Sequence, residues 1–268
     1  MVEVTFAQLQ AWLVAFLWPF TRITAFFMAS PLWGHSSVPN QAKIGLGALL
    51  AIVIAPTLPS MPEIPIMSWA GLGIMVEQVV IGVSIGIVMR VMFAAVQAAG
   101  EFIGLQMGLA FATFFSPDTG ANSMVLSRIF YMIALLMFLA LNGHLIVIEI
   151  LATSFDTLPI GMGRFDAGAF EMIARFGSTI FLSGMLLAIP LVGALLIINL
   201  SLGILNRAAP QLTVFNIGFP MSLTVGVILL MVLMTDYQRF LEGLFSETLF
   251  FLRDMLDTMA PLNGQGPR

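Results

Sequence analysis

Uncharged, mostly apolar residues run in long blocks along this chain, and the charged residues fall largely between the blocks. The stretch between Arg128 and Glu149 holds 20 uncharged residues, and comparable stretches recur along the chain. A helix needs about 20 mostly apolar residues to cross roughly 30 Å of hydrocarbon, and lipid forces backbone groups to pair within the segment. We therefore predict six hydrophobic helical blocks, at 6–29, 44–58, 67–99, 125–151, 177–205 and 214–235.

The residues after the sixth block have the period of an amphipathic helix. From Leu241 to Met259, apolar side chains recur at steps of four and three residues, which is the spacing of one helix face. The charged residues fall mostly elsewhere on the circumference, and few are basic, unlike those of helices that lie in a membrane interface. The pattern predicts a seventh helix, at 236–259, that docks on a partner helix.

Several blocks are poor candidates for straight spans. Prolines stand inside or at the edges of the second, fifth and sixth blocks, for example Pro39, Pro56, Pro190 and Pro220. Proline removes a backbone donor and kinks a helix, and broken helices are tolerated at membrane depth where protein or water surrounds them. The predicted fold class is all-α: a membrane-associated bundle of kinked helical hairpins, with about six hydrophobic blocks and a C-terminal amphipathic helix.

Composition narrows the class of protein further. The 268 residues are 59% hydrophobic and only 9% charged, against about 45–50% and roughly 25% in an average soluble domain. A soluble enzyme and a disordered chain are therefore disfavoured. The net charge of −4 disfavours a nucleic-acid partner. With no cysteine and only His35 and His144, we expect no metal site, and the sequence has no motif for cofactor binding or catalysis.

One face of the third predicted helix, which continues past the third block to Gly108, combines charged, amide and glycine positions at helical spacing. Its members are Arg90, Ala94, Gln97, Glu101, Gly104 and Gly108. Glycines four residues apart, as at Gly82 and Gly86, let a second backbone approach closely. Two interpretations stay open, packing within the chain or a subunit interface or channel wall, because charges at this depth face protein or water rather than lipid. Arg22, Glu77 and Glu149 receive the same interpretation, with their partners unassigned.

A segment of bulky, adaptable side chains follows this face. It begins with glycines, which should flex, and ends in the turn signal Ser116-Pro117-Asp118. Its bulky members are Met107, Phe111, Phe114 and Phe115. A buried core segment is one interpretation. The other is a constriction, because hydrophobic rings can close a pore by excluding water from it.

Three stretches of the chain together form a more specific pattern. The strongest reads RAAPQLTVFNIGFP at 207–220, the second reads QAAGEFIGLQMG at 97–108, and the third runs from Arg22 through Pro31 to Pro39. In combination they resemble the FliR family, the integral-membrane R subunits of the flagellar type III protein export gate, which are related to the T-type subunit of injectisomes. The signature residues of the strongest stretch are Arg207, Pro210, Gln211, Phe215, Gly218 and Pro220.

This resemblance implies an architecture and a role. R subunits look like a P-type and a Q-type subunit fused in one chain, which divides this sequence into parts 1–165 and 170–268. The family's R subunit joins P-type and Q-type subunits, FliP and FliQ, around a pore that lies largely above the membrane plane, with FlhA-like and FlhB-like proteins as further partners. A loop of the R subunit plugs the closed pore, and here it maps to Met107 through Phe115.

The resemblance also implies a location and a cargo. It places the chain in the bacterial inner membrane as a multi-pass protein of the flagellar basal body. Unfolded flagellar proteins are expected to pass through the opened pore. The energy source lies in other components of the apparatus, so neither a cofactor nor enzymatic activity is expected in this chain.

A secondary transporter is the main alternative. It would place a small-molecule site around midplane charges such as Glu77, Arg90 or Glu101 and would show an internal repeat, and no clear repeat relates the two halves. An intramembrane enzyme is less favoured, because the carboxylates are scattered singly and form no catalytic set in the sequence.

Overall fold

The computed structural model describes residues 5–58, 61–62, 64–109, 125–161, 163, 165–208 and 218–260, and within them all regular secondary structure is helical. The α-helices are α1 (Phe6–Ala29), α2 (Asn40–Ile54), α3 (Trp69–Gln106), α4 (Val125–Ala140), α5 (Gly143–Thr157), α6 (Ala167–Phe176), α7 (Thr179–Ala208) and α8 (Phe219–Met259). A 3₁₀ turn, Ala55–Thr57, continues α2. The predicted all-α fold class is confirmed for this part of the chain.

The helices have the length and apolarity of membrane spans. Across the described ranges, five helical stretches are long and apolar enough to cross a membrane, and α4 with α5 makes a sixth if the pair is counted as one span. Helices α3 and α8 have 38 and 41 residues, which is about 57 and 62 Å at a rise of about 1.5 Å per residue. Both are about twice as long as the ~30 Å hydrocarbon core of a bilayer.

The structure has one helix, α6, that no predicted block covers, and it differs from the predicted boundaries most in two places. The sixth block and the amphipathic segment after it form one helix, α8, which continues through Asp236. Pro220 is the second residue of α8, where its missing N–H breaks no helical hydrogen bond, so it begins a helix rather than kinking one. The fourth block, in contrast, is bent by 69° between α4 and α5. Asn142 stands at the bend with φ 57°, a left-handed conformation that asparagine tolerates.

The chain forms two compact units, each assembled from separate stretches. The first contains the described parts of 1–90, 142–177 and 247–268, and the second those of 91–141 and 178–246. Helices α3 and α8 each contribute a part to both units. The division into parts 1–165 and 170–268 stays a prediction.

The core of the first unit is aromatic and aliphatic. Trp18 is fully buried and forms a cluster with Val14 and Ile74. Partly buried apolar side chains pack against this cluster, namely Met61, Ile64, Ile66, Met75 and Ile160. Phe26 and Phe27 are also fully buried, and the ring of Trp33 packs on both, with centroid distances of 5.4 and 5.2 Å. One face of α1 therefore contributes large aromatic side chains to the core of this unit.

The core of the second unit is built around Phe93 of α3. Its ring contacts those of Tyr131 and Phe138 on α4, at centroid distances of 5.6 and 5.7 Å, and that of Phe245 on α8 at 6.3 Å. Edge-to-face pairs of this kind add about 0.5–1.5 kcal/mol to simple burial. The second unit thus joins α3, α4 and α8 through contacts between rings.

Candidate functional site

Arg22 of α1 is the most extensively bonded buried charge in the described residues. It has no exposed surface, and its Nε donates to Oε1 of Gln78 on α3 at 2.7 Å. Its Nη1 donates to the carbonyl and hydroxyl oxygens of Ser154 at 2.9 and 3.0 Å, and its Nη2 donates to the carbonyl of Leu158 at 2.8 Å. The guanidinium carbon lies 4.0 Å from the ring centroid of Phe155. One side chain thus joins α1 to α3 and to the end of α5.

The position of these acceptors explains why arginine suits the site. Ser154 lies in the last turn of α5, and Leu158 is its C-terminal cap residue. The last carbonyls of a helix lack internal donors, and the helix dipole makes this end partly negative. A guanidinium offers five N–H donors in a fixed, planar arrangement together with a permanent charge. Arg22 therefore caps α5 from another helix.

Glu77, next to Gln78 on α3, is a further buried charge. Its Oε2 accepts from the backbone N–H of Gly163 at 3.3 Å. Within the described part of the chain, its Oε1 and the Nε2 of Gln78 are buried without a hydrogen-bond partner. Arg22 makes its hydrogen bonds to Gln78 and to α5 rather than to Glu77. We name the set of Arg22, Glu77, Gln78, Ser154 and Leu158 the Arg22 cluster.

Two glycines of α3 bring this helix against α1. A Cβ at Gly82 would overlap the carbonyl oxygen of Arg22 and lie 2.9 Å from the backbone nitrogen of Phe26, and a Cβ at Gly86 would overlap the side chain of Ala29. Gly82 therefore seats the backbone of Arg22 one helical turn from Gln78, to which the Arg22 side chain bonds. At this pair, the glycine pattern serves packing within the chain, which is one of the two predicted interpretations.

The remaining charges of the predicted polar face lie at the surface of the chain. Arg90 is exposed and its Nη2 donates to the carbonyl of Met28 at 3.3 Å. Glu101 is exposed, and so is Glu149 on α5. Gln97 is half-buried, and its carbonyl accepts from the Ser127 hydroxyl at 3.1 Å. The interface interpretation of Arg90 and Glu101 stays a prediction.

The glycines at the end of α3 have a defined conformation. Gly108 has φ 81°, its N–H donates to the carbonyl of Leu105, and the N–H of Leu109 donates to the carbonyl of Gly104, both at 3.0 Å. This pair of bonds is the Schellman motif, which ends a helix with a left-handed residue. Gly108 therefore ends α3 in a fixed cap, whereas the sequence predicts a flexible joint.

Met107 is the one predicted plug residue that the structure describes. It is 2% exposed and packs against Gly226 of α8, where an added Cβ would lie 2.7 Å from its Cγ and Cε. Phe111, Phe114 and Phe115 lie outside the described residues, so the plug stays a prediction. Met107 itself is anchored within the second unit.

The predicted signature loop is described only at its two ends. Arg207 is exposed near the end of α7, Gly218 is buried just before α8, and Pro220 is exposed at its start. The other signature residues, Pro210, Gln211 and Phe215, lie outside the described residues.

Sequence reasoning selects Arg22 and Glu77 but misses the groups that bond to Arg22. Gln78 lies inside the third block and Ser154 lies three residues after the end of the fourth, so a rule that examines every polar residue in such blocks and just beyond their ends would have found both. It also misses the hydrogen bond of 2.8 Å from Ser222 to Asn199, which links α8 to α7. In the described ranges, no group of three or more His, Cys, Asp or Glu side chains could hold a metal ion.

Comparison with known proteins gives matches along almost the whole chain. The family model described as bacterial export proteins, family 1, matches residues 13–248. The flagellar biosynthetic protein FliR of Escherichia coli strain K12 is 46% identical, over 97% of this chain and 99% of that protein. FliR of Pectobacterium carotovorum is 46% identical over 93% and 95%, and FliR of Bacillus subtilis is 33% identical over 90% and 94% of the two chains.

Proposed function

Because the chain belongs to family 1 of the bacterial export proteins, the family of the FliR proteins, we propose that it is a structural and gating subunit of the flagellar type III protein export channel. The observation that carries this proposal is the similarity to flagellar FliR proteins along nearly the full length of both chains. The chain acts as a hydrophobic building block of the channel and closes its pore until export substrates, the unfolded flagellar proteins, arrive.

The surface of the helices supports a place among lipid and other apolar proteins. Only 11% of the most apolar stretch of α8 is buried within the chain, and side chains such as Met231 and Val232 are 70% and 63% exposed. Contiguous apolar surface of this kind marks protein or membrane contact. Helices α3 and α8 are also too long to be covered by a bilayer alone. We propose that P-type and Q-type subunits, FlhA-like and FlhB-like proteins and lipid cover these surfaces in the bacterial inner membrane, within the flagellar basal body.

The Arg22 cluster has a structural role in this proposal. A charge without exposed surface in an apolar helix is costly unless it is paired or hydrogen-bonded. Arg22 of α1 donates hydrogen bonds to groups of α3 and of the end of α5, so it holds these three helices of one chain in a fixed arrangement. The first unit can then present a constant surface to its neighbours during assembly.

The gating role rests on the segment that begins at Met107. The Schellman cap at Gly108 and the contact of Met107 with Gly226 give this segment a fixed starting point, which supports its use as a plug. Phe111, Phe114 and Phe115 would supply the hydrophobic bulk that excludes water and ions from the closed pore. The same closure would keep the membrane sealed while no substrate is present.

Genetic replacement and purification test the subunit role together. The full chain, expressed in a bacterium that lacks its own FliR, should restore swimming and secretion of flagellar proteins. After detergent extraction, native mass spectrometry should find it in a complex with several copies of different, small hydrophobic export subunits. A stable homo-oligomer that moves a small molecule would instead support the transporter alternative.

A triple variant tests the plug role separately. Phe111→Ala, Phe114→Ala and Phe115→Ala together should let the assembled, idle complex conduct small ions across the membrane. Phe250→Ala is the matched control, because Phe250 is 74% exposed on α8 and lies far along the chain from the plug. Unchanged conductance in a fully assembled triple variant would refute the plug role and leave the subunit role intact.

A further inference from the structure

Helices α7 and α8 leave an open groove of about 300 Å³ between them. Its walls are leucines and other apolar side chains, including Leu186, Leu229, Leu233 and Phe240, and it also contains Pro190 of α7 and Asp236 of α8. We name it the Pro190–Asp236 groove. All of these residues belong to the second unit, so the groove lies within one compact part of the chain.

Two hydrogen-bond acceptors of this groove stand out among the described residues, the carboxylate of Asp236 and the carbonyl of Leu186. Pro190 stands inside α7 and has no N–H, so the carbonyl of Leu186, four residues earlier, lacks the donor that normally pairs with it. The carboxylate of Asp236 is exposed, and no donor of the described residues contacts it. Gln238, the nearest amide on α8, donates to Glu242 at 2.8 Å instead. The groove therefore combines apolar walls with two free acceptors, one of them negatively charged.

This combination selects the chemistry of an occupant. A carboxylate next to apolar walls is unfavourable once lipid or protein covers it, unless an opposite charge accompanies it. Lysine and arginine carry a cationic head with several donors on an apolar stem, and the stem lies readily along apolar surface while the head reaches polar groups. An anion or a neutral apolar side chain would leave Asp236 unpaired.

We propose that the Pro190–Asp236 groove receives a lysine or arginine side chain from a helix of a neighbouring export subunit. The proposal rests on the proposed function, since it assumes that other subunits pack on this chain. The cationic head pairs with Asp236 and donates a hydrogen bond to the carbonyl of Leu186, and the apolar residues around the head pack on the leucine walls. The groove thereby fixes the register of the neighbouring helix against α7 and α8.

Charge variants of the full chain, co-expressed with the other export components, test this inference. Asp236→Asn removes the charge at nearly constant shape and should lower the amount of recovered hetero-complex about tenfold or more, because it strands a desolvated partner charge. Asp236→Lys should lower it further, and Asp236→Glu should retain most of it. Pro190→Ala supplies an N–H to the carbonyl of Leu186 and should lower the yield by a smaller factor. Asp254→Asn is the control, because Asp254 is an exposed acid on the same helix and does not line the groove.

The outcomes separate this inference from the proposed function. If the Asp236→Asn and Asp236→Lys variants both give the hetero-complex in wild-type yield, the inference is overturned and the proposed function is unaffected. Equal loss with Asp236→Asn and Asp236→Glu, at normal levels of the subunit, also overturns it, because charge would then not be the recognised feature. If the Asp236 variants keep all their partner subunits but lose a copurifying phospholipid with an amine headgroup, the groove binds that headgroup and the inference is overturned. A wild-type chain that copurifies with no other export subunit would refute the proposed function itself.

Discussion

Met107 at the end of α3 lies so close to Gly226 of α8 that a side chain at position 226 would require the Met107 side chain to move. A Cβ at Gly226 would stand 2.7 Å from both Cγ and Cε of Met107, well inside van der Waals contact. Met107 is almost fully buried, and the next residue, Gly108, ends the helix in a left-handed cap. The pair therefore fixes the point at which the chain leaves α3.

We expect Gly226→Ala to destabilise the protein by about 1–3 kcal/mol, because it overpacks this contact. Met107→Ala should cost about 2 kcal/mol or more by opening a cavity. In the double variant the new methyl group occupies part of the vacated space, so the loss should be clearly smaller than the sum of the two. The melting temperature of the detergent-solubilised complex measures each loss.

A second glycine of α8, Gly243, serves as a control, because its replacement by alanine changes the helix propensity without creating a close contact. Gly243 has no atom within 4 Å of the position of an added Cβ, so Gly243→Ala should be neutral or stabilise by up to about 1 kcal/mol. Losses that simply add in the double variant would show that Met107 and Gly226 do not share this space.

The Arg22 cluster predicts that arginine is required at its position. Arg22→Lys keeps the charge, but one ammonium group cannot reach Gln78, Ser154 and Leu158 together, so we expect a loss of about 3 kcal/mol or more from buried acceptors without donors. Arg175→Met is the matched control: its ion pair with Glu171 spans 2.7 Å, but the two side chains are 79% and 64% exposed, and such pairs are worth about 0–1 kcal/mol. Steady-state protein level and melting temperature report both losses, and equal stability of the lysine variant and wild type would contradict the expectation.

Glu77 should be energetically coupled to Arg22 even though the two do not bond directly. Arg22→Met leaves Glu77 as an uncompensated buried charge, so adding Glu77→Met should recover part of the lost stability. We expect a coupling free energy of about 1 kcal/mol or more in the double-mutant cycle. Thermal unfolding of the four proteins measures it, and a coupling near zero would show that the two charges act independently.

The sequence predicts the helical blocks well and selects Arg22 and Glu77, which are buried, because both steps follow from local rules; it does not separate them from Arg90, Glu101 and Glu149, which are exposed in the chain. An apolar stretch of about 20 residues is expected to be helical in lipid, and a charged side chain inside that stretch, such as Arg22, needs a hydrogen-bonding or oppositely charged group beside it. The identity of the partner does not follow locally. Ser154 lies 132 residues from Arg22 along the chain, and the hydrophobic periodicity of one helix does not identify which other helix packs against it.

The two boundary differences have a related cause. Charged residues begin at Asp236, but nothing there breaks the helix, so α8 continues. Between α4 and α5 no charged residue interrupts the block, but the Asn142-Gly143 pair is a turn signal, and the helices on either side of it are bent by 69°, with Asn142 left-handed. Hydrophobic periodicity thus predicts which residues are apolar-facing, whereas single turn-forming residues such as Asn142 determine where a helix ends.

Glycines of one helix should respond in opposite directions to the same substitution. Gly82 and Gly73 both lie in α3, but a Cβ would overlap the Arg22 backbone at Gly82 and meets no atom within 4 Å at Gly73. Gly82→Ala should therefore separate α1 from α3 and cost about 2 kcal/mol or more. Gly73→Ala should gain up to about 1 kcal/mol from helix propensity.

Stability and assembly measurements on these two variants distinguish packing within the chain from a subunit interface at Gly82. If Gly82 packs only against α1, Gly82→Ala should lower the melting temperature of the isolated, detergent-solubilised subunit as much as that of the complex. An isolated subunit that keeps its stability while the complex fails to assemble would assign Gly82 to an interface. Because Arg22 reaches Gln78 from the backbone position that Gly82 supports, we also expect Gly82→Ala and Arg22→Lys to be non-additive.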